Sequence, residues 1–136
     1  MLKLTATFPE MAKTILRIST GGVFVYHGAV KLFAPFGGKG MAGFIGLLQN
    51  LRIPFPEFNA YLCAGSELIC GLALVIGFLA RLATIPLIII MGVAIATVTG
   101  KNGFNIVNKG FEYNMLLIAV LVAIFLAGSG KFILKK

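Results

Sequence analysis

Eight side chains carry most of the chemistry this chain can offer: His27, Lys31 and Glu67, with Arg17, Cys63, Cys70, Glu112 and Tyr113 around them. Most lie within or at the ends of long apolar runs. An ionisable group inside such a run is costly to place in lipid, so it tends to face the protein interior and find a partner. His27 and Glu67 are suited to moving protons. Lys31 is suited to drawing in an anion or polarising an oxygen. We therefore read His27, Lys31 and Glu67 as candidate catalytic residues. Arg17, Cys63, Glu112 and Tyr113 are candidate ligand-binding residues.

The elements that must position them are four apolar stretches, residues 14–34, 59–79, 82–100 and 111–128. Each has roughly 18–21 residues, enough to cross a ~30 Å hydrocarbon core as a helix. The expectation is an all-α protein: one integral-membrane domain, residues 1–136, built as a four-helix bundle. Spans two and three meet at Ala80-Arg81, read as a tight hairpin. Pro86 then falls in the first turn or so of span three, where its missing N–H does little harm. A polar loop, residues 101–110, joins spans three and four. The longer first connection holds Met41, Phe44, Ile45, Leu48 and Leu51 on one face, which suggests a short interfacial helix over residues 41–52. An ordinary covering loop is the alternative.

Alternating spans bring the titratable groups to one level. His27 lies about seven residues from one end of span one, ~10 Å deep, and Glu67 about eight residues from the matching end of span two, ~12 Å deep. Lys31, Glu112 and Tyr113 sit nearer that rim. Arg17, His27 and Lys31 share an arc of ~80° on span one. Cys63, Glu67 and Gly71 recur every four residues on span two. Glu67 should then pair with Lys31, His27 or both. Such a pair could equally be structural, fixing only how the helices pack. Arg17 and Arg81, near the opposite face, should reach toward headgroups. Cys63 and Cys70 are ~10.5 Å apart along one helix, too far for a disulfide. Gly92, Ala96 and Gly100, and likewise Ala119, Ala123 and Ala127, form stripes of small residues suited to close packing within or between subunits.

Composition supports a lipid environment. Of 136 residues, 59% are hydrophobic and 12% charged. That leaves too few polar groups to cover a water-facing surface. The net charge of +8 does not imply nucleic acid, because Lys and Arg sit at the ends of apolar runs, where they meet lipid phosphates. The start shows no cleavable signal pattern, so span one should serve as its own insertion signal. Lys3, Lys13, Arg17, Arg81, Lys131, Lys135 and Lys136 fall on one side, and Lys31, Lys39, Arg52, Lys101 and Lys109 on the other. The excess places both termini in the cytoplasm. One histidine cannot supply paired haem ligands, and two cysteines cannot hold an iron–sulfur cluster alone. No metal is expected.

One order of landmarks runs through the chain: Arg17, Gly21, then His27-Gly28-Ala29-Val30-Lys31-Leu32; the Gly-rich stretch; Leu51-Arg52-Ile53-Pro54-Phe55-Pro56; Glu67 with Gly71-Leu72-Ala73-Leu74 and Gly77; Arg81; Glu112-Tyr113; and Gly128-Ser129-Gly130. It resembles the DoxX family of small bacterial membrane proteins. The resemblance implies a four-helix bundle in the bacterial cytoplasmic membrane. The related DoxD proteins form the membrane subunit of a thiosulfate:quinone oxidoreductase, so catalysis would need a second subunit.

Three functions follow as expectations. The first is a membrane subunit of a redox-linked complex, related to quinones or sulfur compounds, with a quinone as cofactor and a soluble oxidoreductase subunit as partner. The second is a non-catalytic module that binds lipid or a partner, as a homo-oligomer or with another chain. The third is a small-solute transporter, which would need an oligomer because four short helices leave little room for a pathway.

Overall fold

The computed structural model describes residues 9–33 and 40–130. Ala34, the Gly-rich stretch through Lys39, Lys3, and the lysines at 131, 135 and 136 lie outside the described residues. Among the described residues the chain is all-helical, with no strand.

The first helix, α1 (Pro9–Phe33), opens with Pro9 and Glu10 and has Lys31 in its last turn. This order suits the helix dipole at both ends. The short α2 (Gly40–Asn50) occupies most of the stretch read above as an interfacial helix. Arg52 and Phe55 then adopt left-handed backbone conformations, and Pro56 starts α3 (Pro56–Ile76).

The α3 helix ends where Gly77 takes φ 85° and donates its N–H to the Ala73 carbonyl at 2.9 Å. Phe78 N–H bonds the same carbonyl at 3.0 Å. Leu79, at φ 46°, precedes α4 (Ala80–Ala94). The hairpin therefore turns at Gly77–Leu79, earlier than the expected Ala80-Arg81, because the glycine tolerates the conformation that stops a helix. Ala80 and Arg81 open α4 instead. Pro86 consequently sits inside α4 rather than in its first turn. Replacing Gly77 with Ala should lower stability by about 1–2 kcal/mol, the cost of a Cβ at positive φ; thermal unfolding in detergent measures it.

The α4 helix continues through a π-helical turn (Ile95–Thr99) into a 3-10 turn (Gly100–Asn102). The expected polar loop follows, with a second 3-10 turn at Ile106–Asn108. Phe111 and Glu112 close the loop by donating N–H bonds to Gly103 and Phe104, each 2.9 Å. The last helix, α5 (Glu112–Ala127), then runs back along α4.

Among the described residues two stretches are long and apolar enough to cross a membrane: α3, and the continuous helix Ala80–Asn102. Of the other two expected spans, α1 has the length but carries Arg17, His27 and Lys31, and α5 has only 16 residues. Ile69 and Leu126 are 68% and 71% exposed, among many large apolar side chains on the lateral surface. Such a surface suits membrane helices.

Helices α1 and α3 run antiparallel and touch backbone to backbone. A Cβ on Gly21 would lie 2.6 Å from the Gly71 carbonyl oxygen, and one on Gly28 would lie 2.7 Å from the Leu68 nitrogen. Where Phe24 and Leu74 from this pair meet Leu87 and Leu121 from α4 and α5, a buried apolar core forms. The stripes Gly92–Ala96–Gly100 and Ala119–Ala123–Ala127 are not in it. All six residues are exposed, so they do not serve packing within the chain.

Candidate functional site

Antiparallel packing of α1 on α3 decides which polar groups meet. It places the last turn of α1 beside the middle of α3. There the Lys31 ammonium donates to both carboxylate oxygens of Glu67, each at 2.8 Å. Glu67 is 2% exposed and the Lys31 side chain 25%. One face of the same ammonium lies 4.5 Å from the centre of the Phe44 ring, which ties α2 to the pair by a cation–π contact. Cys63, one turn before Glu67, points its thiol at Oε1 from 3.9 Å.

This cluster forms part of the wall of a cavity of about 650 Å3. The cavity lies at the end of the molecule where α1 and α4 finish and α3 and α5 begin. Phe24, His27, Lys31, Cys63 and Glu67 line it from α1 and α3. Phe44, Leu47 and Leu48 line it from α2, and Met91, Thr97, Thr99, Tyr113, Asn114 and Leu117 from α4, its continuation and α5. Most of the lining is apolar, with a few polar groups converging on it. That is the usual make-up of a small-molecule site, and the volume falls in the usual range of roughly 300–1,000 Å3.

The sequence-derived residues distribute as follows. His27, Lys31, Glu67, Cys63 and Tyr113 are brought around the cavity. His27 is exposed rather than buried; its ring meets the edge of Tyr26 at 5.6 Å and lies within Coulombic reach of Glu67 and Lys31. Glu112 is not brought to the cavity. Its carboxylate accepts the Ile106 N–H at 2.8 Å and braces the loop before α5. Arg17 is not brought there either. It is 2% exposed near the start of α1, and its guanidinium donates to the Ser129 carbonyl. The headgroup contact expected for Arg17 is thus replaced by a tie to the C-terminal end of α5. Arg81 stays exposed, with its guanidinium against Gly128. Cys70 packs on the apolar core, and both cysteines are free.

The DoxX family model matches residues 12–100, a stretch that holds Arg17, His27, Lys31, Glu67 and Arg81. The chain belongs to the DoxX family. Two relatives are similar to it. A Haemophilus influenzae protein (strain ATCC 51907 / DSM 11121 / KW20 / Rd), named "Uncharacterized protein", is 29% identical over 86 residues, 59% of this chain. The match spans only 57% of that relative's length. A Bacillus subtilis (strain 168) protein, named "Putative oxidoreductase CatD", is 31% identical over 115 residues, 85% of this chain and 79% of its own. No solved structure matches.

Four lining residues of this DoxX chain escape a reading by spacing: Phe44, Asn59, Thr97 and Asn114. Phe44 was visible only as one apolar position on a short helix. Thr97 lies in the π-helical turn, a feature frequent at functional sites but without a sequence signature here. Asn114 follows Glu112-Tyr113 directly, and its neutral amide gave no charge signal.

Proposed function

We propose that this DoxX protein is a quinone-binding membrane subunit of a redox-linked complex. It would cross the bacterial inner membrane as a single-domain, four-helix bundle with both termini cytoplasmic and α2 at the bilayer surface. A soluble oxidoreductase subunit would supply the other half of the reaction. One observation carries the reading: a largely apolar cavity whose charged wall is the Lys31–Glu67 pair, flanked by His27. The oxidoreductase name of the Bacillus subtilis relative agrees with it.

A quinone fits the lining. Its ring and tail would lie against Phe24, Leu48 and Leu117. A bound quinone supplies acceptance of two electrons and two protons. The chain's part is to hold the ring, keep a positive charge at one wall, and move protons. Two bonds to Glu67 hold the Lys31 ammonium in place and leave its third N–H to donate to a ligand oxygen. The exposed imidazole of His27 is suited to exchanging protons between cavity and exterior.

The purified protein should bind a short-chain quinone with a Kd in the micromolar range, and Lys31→Met should weaken binding at least about tenfold, the effect of a lost charged hydrogen bond. Equilibrium dialysis in detergent measures both. Absence of binding across benzo- and naphthoquinones overturns the reading.

A second reading, a non-catalytic module docking a partner helix, is favoured by the two exposed small-residue stripes. Stable co-purification with another membrane protein, lost on Ala123→Leu, would support it.

A further inference from the structure

Polar side chains lining a cavity can serve a ligand only with hydrogen-bonding capacity they have not used elsewhere. Among the described residues most of that capacity is committed. Lys31 and Glu67 hold each other, and the Cys63 thiol is turned to Glu67. The Asn59 amide donates to the Pro54 carbonyl. Thr97 donates to the Val93 carbonyl at 2.7 Å, and Thr99 to the Ala94 carbonyl at 3.4 Å. Capacity remains on His27 and the third Lys31 N–H from α1, on the second N–H and the carbonyl of Asn59 from α3, and on the neighbours Tyr113 and Asn114 of α5.

Asn114 stands out among them. Its one protein hydrogen bond runs from Nδ2 to the Met91 sulfur at 3.5 Å. A thioether is a weak acceptor. The amide therefore keeps a strong donor and its carbonyl acceptor available in a cavity otherwise lined by Met91, Leu117 and other apolar side chains. It sits in the first turn of α5, on a wall built from different helices than the Lys31–Glu67 wall. A half-used amide in an apolar lining gains most when a ligand atom completes it.

We propose that Asn114 is a ligand-binding residue, donating from its amide to an acceptor oxygen at one edge of the ligand, while the ligand's other oxygen faces the His27–Lys31 wall. The ligand class is then a compact apolar ring with acceptor oxygens at two opposite edges. This deepens the quinone reading and rests on it.

The test pairs residue with ligand oxygen. Two probes carry the same alkyl chain: a 2-alkyl-1,4-naphthoquinone, and the 2-alkyl-1-tetralone that lacks the second oxygen. Wild-type protein should bind the quinone about tenfold more tightly than the tetralone, the size of one good hydrogen bond. Asn114→Leu, similar to it in branched shape, and Asn114→Ala should bind the two probes equally, with tetralone affinity near that of wild type. Two variants are used so that poor folding of one leaves the other to decide. Folding is checked by a monodisperse elution profile and far-ultraviolet circular dichroism. If wild type binds the quinone and a folded Asn114 variant keeps the full preference, this inference falls and the quinone reading stands. If wild type binds neither probe, both fall together.

Discussion

Lys31→Met should destabilise the protein by about 3–5 kcal/mol, the usual cost of stripping the partner from a buried charge. The reason is the asymmetry of the pair. Glu67 is 2% exposed and accepts two bonds, each 2.8 Å, from one ammonium. Without Lys31, a charged carboxylate only 2% exposed is left with the Cys63 thiol as its one remaining side-chain neighbour for a hydrogen bond among the described residues. Glu67→Gln should cost less, about 1–2 kcal/mol, because the Lys31 side chain is one-quarter exposed and can turn outward. The double variant Lys31→Met/Glu67→Leu removes both charges and should recover most of the loss. Unfolding in mixed micelles of increasing SDS fraction, followed by circular dichroism, gives all three values. A double variant no more stable than Lys31→Met alone would show that the pair is not the source of the effect. The comparison also separates stability from function, since the double variant should regain its fold without regaining the charged wall.

Gly28→Leu should also be damaging, for a steric reason. Its Cβ would fall 2.7 Å from the Leu68 nitrogen and 3.0 Å from the Ala64 carbonyl oxygen. These are backbone atoms, which cannot rotate aside. Helices α1 and α3 would have to separate along their length. Overpacking in a fixed interior costs about 1–3 kcal/mol, and this site belongs at the top of that range. Gly22→Leu is the control. It lies on the same helix, a Cβ there meets nothing within 4 Å, and the residue is exposed. It should be neutral within about 0.5 kcal/mol. The same SDS titration compares them. Equal effects at the two positions would refute the close-contact explanation. Separation of α1 from α3 would also pull Lys31 from Glu67, so Gly28→Leu should lose quinone binding together with its fold.

The ion pair was legible in the sequence because two constraints met in it. Helices of membrane-spanning length that alternate in direction put His27 and Glu67 at similar depth with Lys31 one turn nearer the rim, and the helical repeat put Lys31 and Glu67 each on a packing face. The glycines that let those faces close, Gly21, Gly28 and Gly71, lay beside them in the same pattern. What failed was whatever depended on a local conformational choice or on a distant partner. The turn fell at Gly77 because a glycine takes φ 85° there, whereas counting apolar residues put it at Ala80-Arg81. His27 shares the arc of Lys31 yet ends exposed, and it is Lys31 that reaches Glu67. Arg17, on that same arc, is taken by Ser129, a residue 112 positions away. Phe44 and Asn114 carry no charge inside an apolar run, so only their placement in three dimensions marks them.

The short joint at Gly77–Leu79 has a consequence for biosynthesis. With so few residues between them, α3 and the helix after it begin and end on the same side, and neither can be threaded while the other stays behind. On the membrane reading proposed above, they would enter the lipid together, as a hairpin. With α1 already in the lipid, a chain ending just after Leu79 should therefore leave α3 open to added protease on one side of the bilayer, and α3 should become protected only once the next twenty or so residues are present.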